Sequence, residues 1–513
     1  MISRSSRVIL SFLACLSFAL TAAGQHHGPE SAGTGGPLDL GTIEFPTSGP
    51  GAAQKHFVEG VLLLHSFEYG RARRAFQEAS RIAPDFAMAY WGEAMTYDHR
   101  IWGEQDRRSA LAALGKLAPS PAERRAKAPT EREKMYFDAI ERLYAEGTPA
   151  EVAAAYSKAV EGITKRFPDD LEARALYSLS LLGLTGTTRN IENYMRAAAV
   201  AEEIYEKNPK HPGALHYIIH AYDDPVHAPL GLRAARLYGT VARGASHAQH
   251  MPSHIFFALG MWEDSIAANT ASMKTARDVG TGGYHPLHWL VHAYPQLGRD
   301  DEAFKLLTVV ETDITGNASP YARTHLAMCR ATLLVEAPGK GPASLVEPVD
   351  ASGINMLGVF SGHDLAVGLE YVRRKDLALA RRSLASIRAR NTVKTPSTDA
   401  SGVVSRYNTV AQTDLDAMAV MEQVLDAAIQ FAEGDRDAGI KKALAAAAAE
   451  DRLVFEYGPP AIPKPAWESA GEMLLAAGRK DEAAAAFRNT LKRYPNRRLS
   501  NEGLKAAVRS DAR

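Results

Sequence analysis

From about residue 51 to residue 500, apolar side chains recur at helical spacing through Ala- and Leu-rich segments of roughly 12 to 16 residues, divided by short polar breaks. Residues three and four apart lie on one face of a helix, so this period gives each segment a stripe to bury. Alternation at a period of two does not persist, and β-branched runs stay short. The pattern predicts an all-α chain.

The helical segments also repeat. In "PAWESAGEMLLAAGRKDEAAAAFRNTLKRYP", Trp467, Gly471, Ala483, Phe487 and Pro495 fall at positions 4, 8, 20, 24 and 32 of a 34-residue unit. Near the other end Gly60, Ala72, Phe76, Ala79 and Pro84 fall at positions 8, 20, 24, 27 and 32. On these residues the chain resembles tetratricopeptide repeat (TPR) proteins over most of 51–500, with degenerate units between. The resemblance implies a TPR-like α-solenoid of stacked helical hairpins, whose neighbours together bury a core that no single hairpin could. Blocks such as "AMAYWGEAM" (87–95), "HMPSHIF" (250–256) and "YGPPAIPKPAWE" (457–468) are similar to a broad group of exported bacterial TPR proteins. That similarity supplies a fold and no reaction.

Residues 100–130 and 336–360 break the period, and "NTVKTPSTDASG" (391–402) reads as a loop. The Gly- and Pro-rich stretch 336–360 is expected to be a linker between two arms, 51–335 and 361–513, the second ending in a capping helix. Ahead of them, 25–50 reads as a flexible lead-in. Residues 1–24 have the layout of a signal peptide: Arg4 and Arg7, an apolar run too short to span a bilayer comfortably, then small residues near Gly24. This predicts an exported protein, periplasmic or secreted, with no membrane span. Its removal would leave Cys329 as the lone cysteine, so no internal disulfide is expected. Of 513 residues, 59 are basic and 59 acidic, and this balance offers no excess to neutralise phosphates. A nucleic-acid partner is excluded on that ground. No Gly-rich phosphate loop, Gly-x-Ser-x-Gly elbow or Cys-x-x-Cys pair occurs, so no nucleotide cofactor is expected.

Histidine is distributed unevenly, with ten of 17 inside residues 211–292. With Ala197, Ala201 and Pro209 setting one repeat, His216 and His220 take positions 5 and 9 of the next. Thirty-four residues on, His247, His250 and His254 take positions 2, 5 and 9. Gly298 and Ala303 anchor a third unit, in which His288 and His292 again take 5 and 9 after a four-residue insertion around "GTGG" (280–283). In TPR arrays these positions line the concave groove. Paired imidazoles four apart on successive helices are a way to offer nitrogen ligands to one or two ions. The candidate metal ligands are therefore His216, His220, His247, His250, His254, His288 and His292. All-nitrogen ligation suits Cu, Zn, Fe or Ni. Asp223 and Asp224 are candidates to complete a shell. His211, His227 and His285 stand beside turn prolines and read as structural. A weaker set, Trp91, Met95, Asp98 and His99 with His65, could form a far wall with acid–base groups.

Two classes of function stay open. One is a binding scaffold holding a peptide or protein in the groove, with or without metal. The other is a metal-dependent oxidoreductase or hydrolase using the histidines. Pro252, inside the second histidine cluster, is expected to bend or delay its helix.

Overall fold

The structure, a computed structural model, describes residues 39–185, 189–280, 283–316, 318–392, 403–404, 410, 412–455 and 457–509. The expected signal peptide at 1–24 lies outside the described residues, as does most of the 391–402 loop.

The described chain is all-α, and consecutive helices pack as hairpins. α1 (Gly51–His65) packs on α2 (Tyr69–Ile82), and α3 (Ala87–Met95) on α4 (Arg107–Leu117). α5 (Pro121–Lys127) leads into α6 (Glu131–Leu143) and α7 (Pro149–Arg166). α8 (Leu171–Leu182) follows with α9 (Ile191–Lys207), then α10 (Pro212–Ala221) with α11 (Ala228–Val241). α12 (Ser246–His250) and α13 (Pro252–Ala258) pack on α14 (Trp262–Asp278), and α15 (Tyr284–Gln296) on α16 (Asp300–Gly316). α17 (Pro320–Glu336) packs on α18 (Leu357–Arg373), which also carries α19 (Leu377–Arg390). α20 (Gln412–Ala432) pairs with α21 (Arg436–Glu450), and α22 (Ala466–Ala476) with α23 (Lys480–Arg493), before α24 (Arg498–Val508). The strands among the described residues are β1 (Asp98–His99), β2 (Glu104–Asp106) and β3 (Val403–Val404), in antiparallel order β1-β2-β3.

Local chemistry sets the helix starts. Ser120, Thr130 and Thr148 each accept from the backbone N–H three residues on, and Glu123, Glu133 and Glu151 reach back to them as capping boxes. Inside a hairpin the small residue at position 8 meets the large one at position 24. A Cβ on Gly60 would lie 2.6 Å from the Phe76 ring, and one on Gly471 would lie 2.9 Å from Phe487. Both ends of the array thus keep glycine where the partner helix comes closest.

Between α17 and α18 the chain is not bare linker. Leu345, Ile354 and Met356 are buried, His363 donates Nε2–H to the Leu345 carbonyl, and Arg330 bonds the Glu347 carbonyl. The face of α10, α12, α13 and α15 that carries the histidines is covered by the chain's own residues. Phe67, in the turn between α1 and α2, takes a left-handed φ of 55° and stacks against His220 and His247. From the connection before α22, Tyr457 lies against His220 and His254, and Gly458 lies against Trp289. α24 returns to pack on α15.

Candidate metal centre

The histidines four apart stand one above the other on their helices and meet a third imidazole from the next hairpin. His216 and His220 of α10 join His247 of α12, and His250 of α12 and His254 of α13 join His285 of α15. Within each trio one nitrogen of every ring lies within 4.8 Å of the others. The trios follow one rule of the repeat: two residues four apart along the chain, and the residue three ahead of the corresponding pair in the next unit.

Hydrogen-bond partners behind the rings define their tautomers. His216 Nδ1 donates to the His65 carbonyl at 2.6 Å. His254 Nδ1 donates to Asp223 Oδ2 at 2.5 Å. His250 Nδ1 donates to Asn269 Oδ1 at 2.7 Å, and Asn269 Nδ2 is itself turned to the Ser265 carbonyl. A neutral ring that donates from Nδ1 presents a bare lone pair at Nε2. Each of these three lone pairs faces another ring nitrogen. His254 Nε2 is 3.1 Å from His250 Nε2, which is 3.0 Å from His285 Nε2, and His216 Nε2 is 3.2 Å from His247 Nε2.

Burial keeps His216 and His220 neutral. It holds His216 down to about 3 and, with neighbouring imidazoles, pushes His220 well below the ordinary histidine range. His220 Nε2 is buried with no hydrogen-bond partner, and so is Asp223 Oδ1. Aromatic rings close each trio: Phe67 lies 4.3 Å from the His216 ring, and Trp289 lies 4.7 and 4.6 Å from those of His250 and His254.

A third cluster, His65, Glu172 and His211, provides a contrast. His211 Nδ1 accepts from the Ala214 N–H, so its Nε2–H donates to Glu172 Oε1 at 3.0 Å. His65 donates Nε2–H to Glu172 Oε2 at 2.7 Å and accepts from Tyr217 at Nδ1. Burial raises the Glu172 pKa, but His211 and His65 outweigh it and hold the carboxyl down to about 2. Every nitrogen here has a partner, and the cluster acts as a buried strut behind His216.

The sequence-derived candidates divide. His216, His220, His247, His250 and His254 come together in the trios. His288 and His292 do not: His288 Nε2 bonds Thr332 at 3.3 Å, and His292 faces Gln296 and Glu336. His325, on the next helix, turns its Nδ1 to the Tyr321 carbonyl at 2.9 Å. His285, read from sequence as structural, stands in the second trio. Asp223 lies behind His254, while Asp224 is taken by Arg189 and His227. His99 lies outside the trios, stacked at 3.9 Å on Tyr69 and beside Glu104, with Asp98 bonded to Arg100.

Neither a protein-family model nor a curated protein matches the chain. Several solved helical structures are similar to it. Human IFIT1, solved as a dimer with m7Gppp-AAAA, is 13% identical over 91% of this chain and 92% of its own, with a TM-score of 0.38. The P58(IPK) TPR domain is 12% identical over 89% of this chain and 97% of its own, at 0.23. A tetratricopeptide repeat protein from Parabacteroides merdae is 9% identical over 74% and 99%, at 0.28.

Proposed function

We propose that this TPR-like scaffold binds a transition metal through its two histidine trios and that it does so after export from the cytoplasm. The observation that carries the reading is the meeting of His250 and His254. Both rings use Nδ1 to donate, so two buried lone pairs face each other at 3.1 Å. Like-facing lone pairs repel, and a cation between them turns that repulsion into ligation. The orphaned Nε2 of His220 in the other trio supports the same reading. So does the outer layer: a carboxylate, an amide oxygen and a backbone carbonyl fix three of the rings, which is how metal-binding imidazoles are oriented.

A proton on His254, paired with Asp223, would relieve the same repulsion, and metal analysis separates the two. Protein prepared without chelators or a histidine tag is expected to retain copper, zinc, iron or nickel. His250→Ala/His254→Ala is expected to lose it while its far-ultraviolet circular dichroism stays helical. Metal content equal in the two proteins would remove the assignment. Export is tested separately by fractionating the producing cell and sequencing the mature N-terminus; a cytoplasmic chain still starting at Met1 would refute it.

A further inference from the structure

Resting on that metal-binding reading, we infer that the two trios form one dinuclear copper(I) centre that reacts with dioxygen. The first ground is adjacency. Within the trios, ring centres lie 4.8 Å apart for His216 and His220, 5.0 Å for His216 and His247, 4.9 Å for His250 and His254, and 4.5 Å for His250 and His285. Across the boundary, His220 and His254 are 5.7 Å apart, and His247 and His250 are 6.0 Å apart. The trios are therefore almost as close to each other as their own members are. Ions held in them would be direct neighbours.

The second ground is the donor set. Each trio offers three imidazoles and no carboxylate. Three neutral nitrogens complete the shell of monovalent copper, which accepts a trigonal set. Zinc, by contrast, is almost always four-coordinate and needs a further ligand. Among divalent first-row ions, copper binds such nitrogen sites most tightly, so the same rings also suit the oxidised metal.

Charge is the third ground. Of the acidic groups nearest the trios, Asp224 is paired with Arg189, and Glu68 lies beside Arg71 and the His247 N–H. Of these three carboxylates, Asp223 retains a buried oxygen without a partner. Two divalent ions would bury four positive charges against that single carboxylate, while two copper(I) ions bury two. Uncompensated buried charge is the costly quantity here.

The reaction with dioxygen keeps that balance. Each copper(I) gives up one electron, and O2 takes both to become a peroxide dianion bridging two copper(II) ions. No proton moves and no other bond breaks. The pair gains two positive charges as the ligand gains two negative ones, so the charge inside the protein is unchanged. Phe67, Trp289 and Tyr457 line the site with aromatic faces, walls suited to a small apolar gas and poorly suited to a charged substrate.

The full chain, freed of metal, would be loaded anaerobically with copper(I) against a chromogenic copper(I) chelator and then opened to air, with zinc titrated in parallel. Two coppers per chain are expected. Air should produce a new near-ultraviolet absorption and a copper(II) paramagnetic signal far below two spins, because neighbouring copper(II) ions couple. His285→Ala, at the half-buried edge of the second trio, is expected to retain one copper and lose the response to air. His288→Ala is expected to keep two. One copper in the unmodified chain, two coppers giving a full two-spin signal, or copper that stays reduced in air would each overturn the inference and leave the metal-binding reading intact. Failure to retain copper would overturn this inference, and absence of copper, zinc, iron and nickel alike from the protein as prepared, with no uptake on titration, would overturn both.

Discussion

Asp223 and His254 show how one residue would matter to a metal site whose ion it does not touch. The carboxylate holds Nδ1–H at 2.5 Å and so both orients the ring and raises the basicity of Nε2. Asp223→Asn keeps an oxygen acceptor and removes the charge. Metal affinity is expected to fall about 10- to 100-fold, the usual cost of losing such a partner, read by competition against a chelator, while His288→Ala leaves it unchanged. Protons act at the same scale. Burial lowers the pKa of His65, His216, His220, His288 and His292, with His216 at about 3 against an ordinary 6.5. Once unfolded, these rings take up protons near 6.5, whereas folded they do not. Between roughly pH 6.5 and 3 the unfolded chain therefore binds more protons and acid destabilises the fold, by about 1.4 kcal/mol per pH unit for each fully shifted ring. Melting temperature of the metal-free protein, measured from pH 7 to 5 at constant ionic strength, should fall steeply; a flat profile would contradict the burial of these rings as neutral species. Five of the six trio residues are legible in the sequence, four because four-residue spacing on a helix is a local property and His247 because it takes position 2 of the same unit. His285 is not, because its neighbour Pro286 marks a turn. Its equivalence to His247 appears only once the four-residue insertion before it is discounted. His288 and His292 mislead for the opposite reason: their spacing is right, but His288 turns to Thr332 and His292 to Gln296 and Glu336.

Among the elements, the hairpin shows why two distant segments could be aligned from sequence alone. Gly60 and Phe76, like Gly471 and Phe487, are the closest approach of paired helices, and a contact that tight tolerates few residue types. Gly60→Ala would set a methyl 2.6 Å from the Phe76 ring. The expected loss is about 1–3 kcal/mol in urea unfolding, the range for overpacked cores, and adding Phe76→Leu should recover part of it. If the two changes simply add, the ring is not what resists the methyl. Pro252 tests the limits of such rules. The helix does break there, α12 ending at His250 and α13 beginning at Pro252. Met251 nevertheless keeps helical dihedrals, φ −53° and ψ −37°, so His250 and His254 remain one turn apart with their Nε2 atoms in contact. Proline removes one N–H and leaves the geometry of the pair in place. The hairpin β1–β2, at the start of the 100–130 break, was not legible, since strands of two and three residues carry no period.

Closure of the whole array depends on contacts that no repeat pattern encodes. Arg497, at the start of α24, is fully buried; it bonds Glu336 of α17 at 2.5 Å and grips Glu468 of α22 through two nitrogens, at 2.7 and 2.9 Å. Gln296 of α15 accepts from the Arg498 N–H and donates to Glu336. Two carboxylates from distant helices thus meet on one guanidinium, Gln296 ties α15 to the same cluster through Glu336 and the Arg498 N–H, and residues 202 apart become neighbours. Two carboxylates share that charge, so Arg497→Met would leave both buried, with Lys464 the other cation on Glu468 among the described residues. Removing one partner of a buried ion cluster typically costs about 3–5 kcal/mol. The loss should be confined at first to the C-terminal end, where Tyr457 and Gly458 rest on the second trio. Two measurements are therefore expected to move together: the midpoint of chemical unfolding falls, and bound metal leaves to a chelator faster. Adding Glu336→Gln and Glu468→Gln removes the stranded charges and should restore much of the unfolding midpoint. If metal then still leaves quickly while stability returns, the guanidinium itself, by holding the C-terminal hairpin against α15, is what keeps the histidine interior closed.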